Sequence, residues 1–228
     1  MSIEINDNNG QTRRSAPTLA YEHRFESQGY KTIAGVDEAG RGPLAGPVVS
    51  AAVILRQRKF RNRIDDSKVL SASQREKAYQ EIRAKAWVAI GIVGEKIIDQ
   101  INILEATILS MRRAISFLSP QPDFVLVDGS MSLNLNIPYE SIVRGDAKSL
   151  SIACASIIAK VARDRIMSIY HRKYPEYGFS QHKGYGTKSH FEALKRIGPS
   201  PIHRMSFAPL KIIAISHKLS VFIINEQA

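Results

Sequence analysis

An acidic pair, Asp37–Glu38, ends one apolar segment, Thr32–Val36, and a glycine- and proline-rich turn at 40–47 leads into a second, Val48–Leu55. Two apolar runs of strand length joined by so short a turn fold back as an antiparallel hairpin. The pattern recurs twice. Phe124–Val127 stops at Asp128–Gly129, and Tyr139–Val143 stops at Gly145–Asp146. Strand ends are where side chains of an α/β sheet converge on a rigid scaffold. Four carboxylates brought together repel one another unless protons or cations neutralise them. Oxygen ligands of this kind suit Mg²⁺ or Mn²⁺, and two such ions about 4 Å apart form a clamp for phosphodiester cleavage. Asp128 or Asp146 taken singly reads equally well as a cap, a turn residue or a surface charge. The adjacent pair 37–38 between strand and turn is the informative feature.

The rest of the chain supplies three more kinds of element. Trp87–Val93 reads as a further strand, with Trp87 in the core. Helices are expected within Pro17–Tyr30, from a Ser71 or Ser73 cap to Lys85, and over Ser149–Tyr170, where Leu150, Ala153, Cys154, Ile157, Ile158 and Val161 form one stripe. A long helix capped by Asp99 or Asn102 runs to Pro120, and a short one spans Ser189–Arg196. Five strands interleaved with helices predict a mixed sheet covered by helices on its faces. Residues 1–16 are polar and aperiodic, which predicts disorder.

The chain carries 32 Lys and Arg against 21 Asp and Glu, a net charge of +11 over 228 residues. That excess favours a polyanionic partner, nucleic acid above a membrane surface. The first ten residues lack the basic start and apolar run of a signal peptide. No run reaches the roughly 18 apolar residues of a membrane helix. The single Cys154 sits on an apolar helical stripe and suits a reducing, cytoplasmic compartment.

Beyond these patterns, the run IAGVDEAGRGPLAGPV at 33–48 resembles the signature of ribonuclease HII. So do DDSKVL at 65–70, VDG at 127–129, GDAK at 145–148, SIACASIIAKVARD at 151–164, HKGYGT at 182–187 and HRMSF at 203–207. The blocks stand in family order and cover roughly Pro17 to Pro209. The resemblance implies an α/β, ribonuclease H-like mixed five-stranded sheet flanked by helices, with a C-terminal helical extension. It implies a catalytic domain over 17–209, a monomer, and Mn²⁺ or Mg²⁺ as cofactor. Asp37, Glu38, Asp128 and Asp146 match the family's catalytic, metal-holding acids. The implied activity is endonucleolytic hydrolysis of the RNA strand of RNA–DNA hybrids. It extends to incision 5′ of single ribonucleotides in duplex DNA, leaving 3′-hydroxyl and 5′-phosphate ends. Cys154 departs from the pattern, which places a smaller residue there, and the tail at 210–228 has no family counterpart. That tail reads as extra packing or as a docking segment.

Other motifs are more ambiguous. On spacing alone, Gly40-Arg41-Gly42 is equally an ordinary tight turn and a close approach to a ligand; the resemblance makes it a contact to the ribose 2′-hydroxyl. Tyr185, between two glycines, is divided between stacking on nucleic acid and core packing; the resemblance assigns it to the ribonucleotide junction. Lys68, Lys148 and Lys183 are candidate phosphate contacts, with solvated surface charge the commoner role. Lys68 has the best support. Asp164 falls near the apolar stripe of its helix and needs a partner: the metal site or a nearby Lys or Arg. His182, His190 and His203 match no zinc spacing, and packing is favoured over proton transfer. A strand-transfer enzyme of the same scaffold would need a DNA-targeting module that the sequence lacks. An inactive hybrid-binding module would not be expected to keep all four acids.

Overall fold

The computed structural model describes residues 16–212. All but the last residue of the 1–16 segment expected to be disordered, and most of the tail at 210–228, lie outside the described residues.

Alternation along the strands decides which side chains face which layer. The first helix, α1, spans Ala20–Glu26. Strand β1 is Ile33–Ala39 and β2 is Val48–Leu55, and they pair antiparallel as the hairpin the turn predicts. Helix α2, Ala72–Lys85, begins at a capping box: the Ser71 hydroxyl accepts from the Gln74 N–H, and the Gln74 side chain accepts from the Ser71 N–H. Strand β3, Ala86–Val93, adds antiparallel to β2. Helix α3 is Glu95–Ser116. Strands β4, Phe124–Asp128, and β5, Tyr139–Ile142, follow, parallel to β1 and β4 respectively. The sheet order is β3-β2-β1-β4-β5, the expected mixed five-stranded sheet. A 3₁₀ turn at Gly145–Ala147 leads into the long helix α4, Leu150–Lys173, capped by Ser149. Two short helices, α5 (Phe179–His182) and α6 (Lys188–Ile197), form the C-terminal extension.

Ala51 and Val53 of β2 pack beneath α4 and α2, in a cluster with Ala78, Ile82, Cys154 and Ile158. Their neighbours Ala52 and Ile54 point the other way, with Ala34, Val36, Val125 and Val127, against Met111 and Ile115 of α3. The period of two therefore builds two cores, one on each face. Helix α4 lies so close to β1 that a Cβ at Gly35 would run into the backbone of Ser151 and Ile152. Glu22 of α1 reaches the same place, accepting from the Ser149 and Ser151 hydroxyls, both at 2.7 Å, and from the Ser151 N–H at 2.9 Å. The first helix is thus tied to the N-terminus of α4.

Two expectations change. Trp87 is 40% exposed. It opens the edge strand, where Ala89 on the same face is the residue that packs under α3. The indole instead meets the Arg56 guanidinium, 5.6 Å from its ring centre. The helix expected to start at Asp99 or Asn102 begins earlier, at Glu95, and is kinked at Asn102 (φ 67°, ψ 169°). Asn102 does cap the second segment, accepting from the N–H groups of Leu104 (2.9 Å) and Glu105 (3.2 Å). Asp99 does not cap. Its carboxylate accepts from the Met205 and Ser206 N–H groups, each at 2.9 Å, and pins the C-terminal segment. Leu210, at the start of the tail, is buried with Phe179 and Leu194.

Candidate active site

Register brings the acids together. Val36 pairs with Val127, so one step further along the two parallel strands sets Asp37 beside Asp128. Asp37 shares the α4 face with Gly35, and Asp128 shares a face with Leu126, which packs against Ile152 of α4. Glu38 falls on the opposite face of the strand end. Asp146 arrives from the 3₁₀ turn, which is fastened to Asp128: the Gly145 N–H donates to Asp128 Oδ1 at 2.6 Å. One carboxylate oxygen from each of Asp37, Asp128 and Asp146 lies within 4.8 Å of the others.

These groups are costly to keep charged without a cation. Burial, then repulsion from Glu38 and Asp128, holds the Asp37 carboxyl well above its usual range. Burial also raises Glu38; Arg41 opposes the rise, with Arg41 Nη1 3.5 Å from Glu38 Oε1, and Asp128 adds to it. Asp146 is raised by burial and by Asp128 and Asp66. Lys68 offers partial compensation, its Nζ 3.7 Å from Asp146 Oδ2 and 3.9 Å from Asp66 Oδ1. Burial pulls the Lys68 ammonium down, yet the surrounding carboxylates win and it is raised. Glu38 Oε2 is buried with no hydrogen-bond partner among the described residues. A buried carboxylate oxygen left without a donor beside three clustered carboxylate oxygens fits a hard divalent cation.

The cleft over these acids holds about 230 Å³ and is lined by Asp37, Glu38, Asp128, Lys68, the Gly40-Arg41-Gly42 turn and Tyr185. A second hollow, of about 540 Å³, continues past Glu38, Arg41 and Asp128 to Leu104, Ile108 and Met131. Gly40 has φ 102°, and a Cβ there would collide with the Arg163 side chain beneath it. Glycine is therefore needed for both conformation and space.

Of the other residues singled out, Lys148 is exposed and does not line the cleft. The Lys183 ammonium lies 3.5 Å from the Ser168 hydroxyl. Asp164 is outside the carboxylate cluster and pairs with Lys160 at 2.9 Å. The three histidines are buried together: His182 stacks on His190, His203 meets His190 at a tilt, and Phe179 meets His190 edge-on. His190 Nε2 is 3.0 Å from His203 Nε2, and His190 Nδ1 is 2.9 Å from the Tyr185 carbonyl. Burial first of all lowers His190 to about 4 and His203 to about 3, so both are neutral at neutral pH. They are packing for the Tyr185 loop.

Sequence reasoning missed Ser156, Lys160 and Arg163, which line the cleft from α4. Their spacing of four and three residues places them on one helical face. Three polar residues at that spacing, interrupting and then ending the apolar run from Ile152 to Ala162, were the available signal.

The family model described as ribonuclease HII matches residues 34–210. A ribonuclease HII from Acetivibrio thermocellus is 57% identical over 188 residues, 82% of this chain and 73% of that protein. One from Syntrophus aciditrophicus is 55% identical over 188 residues, 82% and 89% of the two chains. The crystal structure of ribonuclease H2 from Pyrococcus horikoshii OT3 aligns with TM-score 0.71 at 28% identity, covering 82% of this chain and 99% of that one. The sheet order and flanking helices are thus those of a ribonuclease H-like fold. With three of the acids at strand ends, Asp146 on the turn after β5 and the match running across residues 34–210, the chain belongs to the ribonuclease HII family.

Proposed function

We propose that this protein is a monomeric, cytoplasmic endonuclease that hydrolyses the RNA strand of RNA–DNA hybrids. We propose further that it incises 5′ of single ribonucleotides in duplex DNA, leaving 3′-hydroxyl and 5′-phosphate ends. The observation that carries this reading is the convergence of Asp37, Asp128 and Asp146, at the edge of a cleft where Asp37, Glu38 and Asp128 stand with Gly40-Arg41-Gly42 and Tyr185.

Asp37, Glu38, Asp128 and Asp146 would hold two Mg²⁺ or Mn²⁺ ions, which when bound supply Lewis acidity to water and to the leaving oxygen. The chain's own groups do the rest. Lys68, 78% exposed at its side chain and already drawn toward the acids, is placed to meet a phosphate. Backbone N–H groups of the Gly40-Arg41-Gly42 turn, which lines the cleft, would read a 2′-hydroxyl, the group that separates RNA from DNA. Tyr185, 45% exposed at the rim, offers a face for stacking on a sugar or base. The net charge of +11 supports retention of a polyanion.

The test is incubation with a labelled DNA duplex containing one ribonucleotide, beside an all-DNA control, in Mg²⁺, Mn²⁺ or EDTA. Metal-dependent incision of the ribonucleotide strand alone, on its 5′ side, is expected. Binding without incision in either metal would overturn the reading in favour of a hybrid-binding module.

A further inference from the structure

Two arginines are buried almost completely, Arg163 at 1% exposure and Arg204 at 0%. Neither is used by the chemistry above, and neither makes an ion pair among the described residues. Their guanidiniums donate instead to main-chain carbonyls. Arg204 donates to Gly46 O (2.8 Å), Arg41 O (2.9 Å) and Gly40 O (2.6 Å). Arg163 donates to Pro47 O (3.0 Å), Ala45 O (3.1 Å) and Lys183 O (3.0 Å). Five of these carbonyls belong to the turn at 40–47, and the sixth lies two residues before Tyr185.

Burying two cations is expensive, and apolar side chains of similar size would fill the same space at less cost. What an apolar side chain cannot do is fix three peptide planes at once. The guanidinium can, because its five N–H donors sit in a rigid fork. In a planar trans peptide, the N–H of the next residue points opposite to the carbonyl. Holding Gly40 O and Arg41 O on the buried Arg204 therefore aims the N–H groups of Arg41 and Gly42 the other way. Gly40, Arg41 and Gly42 line the cleft, so outward means toward the substrate. Arg163 joins this turn to the Tyr185 loop, an attachment reinforced by the Leu44 N–H donating to Gly184 O at 2.8 Å.

We propose that Arg163 and Arg204 are positioning residues for ribonucleotide recognition: their buried guanidiniums hold the carbonyls of the 40–47 turn and of Lys183 inward and so aim the Arg41 and Gly42 N–H groups and Tyr185 at the 2′-hydroxyl. This rests on the reading of the cleft as a ribonucleotide site. Arg204 sets the turn alone, whereas Arg163 sets the turn and the tyrosine loop together.

Arg204→Lys and Arg163→Lys each keep the charge and lose the fork. For each, kcat/KM is measured on the duplex with one ribonucleotide in Mn²⁺, affinity for the all-DNA duplex by fluorescence anisotropy in EDTA, and melting by circular dichroism. Misaiming two donor groups should lower kcat/KM by about tenfold to a hundredfold. Affinity for all-DNA duplex, set by phosphate contacts, should stay within about twofold. A purely structural role would lower both together or leave both unchanged, and either result would overturn the inference. Failure of both variants to fold would assign the guanidiniums to stability and overturn it as well. If the wild-type protein incises neither substrate, the ribonucleotide reading itself fails, and this inference falls with it.

Discussion

Asp37→Asn should make the protein more stable and catalytically dead at once. Oxygens of Asp37, Asp128 and Asp146 lie within 4.8 Å of one another. At an effective dielectric of about 20, two full charges at that separation repel by roughly 3.5 kcal/mol. Proton uptake by the raised Asp37 carboxyl and the nearby Lys68 ammonium relieve part of this. A net gain of about 1–3 kcal/mol on removing one charge follows, or roughly 3–10 °C in melting temperature for a chain of this size. The asparagine still offers an oxygen to the Glu38 N–H, which Asp37 Oδ1 accepts at 2.6 Å, so that N–H keeps its acceptor. The pH dependence has a definite sign. The unfolded chain releases this proton near 3.8, the ordinary value, while the folded chain holds it to higher pH. Stability from the protonated carboxyl is therefore full below 3.8 and is lost as pH rises through the raised folded value. Without divalent cations, the excess stability of Asp37→Asn over wild type should grow from acid to neutral pH. Melting curves in EDTA and in Mn²⁺, at several pH values, read all of this. Mn²⁺ at a hundredfold excess over Kd should stabilise the wild type by about 2.7 kcal/mol and raise its melting temperature accordingly, and the variant far less. Cleavage should vanish while hybrid affinity stays within about tenfold. A variant that melts at or below wild type in EDTA, or that cleaves normally, would refute the reasoning.

Other perturbations separate site from scaffold. Gly35→Ala forces a methyl into the backbone of Ser151 and Ile152, which cannot move aside as a side chain would; a loss of at least about 3 kcal/mol in urea denaturation is expected. Tyr185→Ala should leave stability within about 0.5 kcal/mol, because the ring is 45% exposed. Its loss should appear in junction incision, by about tenfold or more if a stacking contact goes; a large fall in melting temperature would return Tyr185 to the core. Trp87→Ala should cost about 1–2 kcal/mol, below the roughly 3–5 kcal/mol of a buried aromatic, and the native emission of this single tryptophan should lie toward that of a solvated indole.

Much of the architecture was legible because alternation and capping are local. The β1–β2 hairpin, the Ser71 cap and the apolar stripe of α4 each depend on residues within one or two turns of chain. The misread elements depended on distant partners. Trp87 has the composition of a core strand, but whether an edge residue is covered depends on how far α3 extends over it. The segment from Glu95 carries no side-chain cap, since Gly94 precedes it. Asp99 looks like a cap in sequence and instead holds residues 106 and 107 positions away.

The candidate site divides along the same line. Sequence alone determined which residues are acids, that each ends an apolar run, and that glycines stand beside them, because residue type and strand period are properties of the chain. Only the tertiary structure decided that Asp37 and Asp128 share a face while Glu38 takes the other, since that requires the parallel register of β1 and β4. It alone decided that Asp164 belongs to Lys160 and not to the cluster, and that Arg163 and Arg204 lie beneath the turn at 40–47. A guanidinium looks solvated in any sequence. Its burial is set by carbonyls that come within reach only when the turn, α4 and the C-terminal segment pack together.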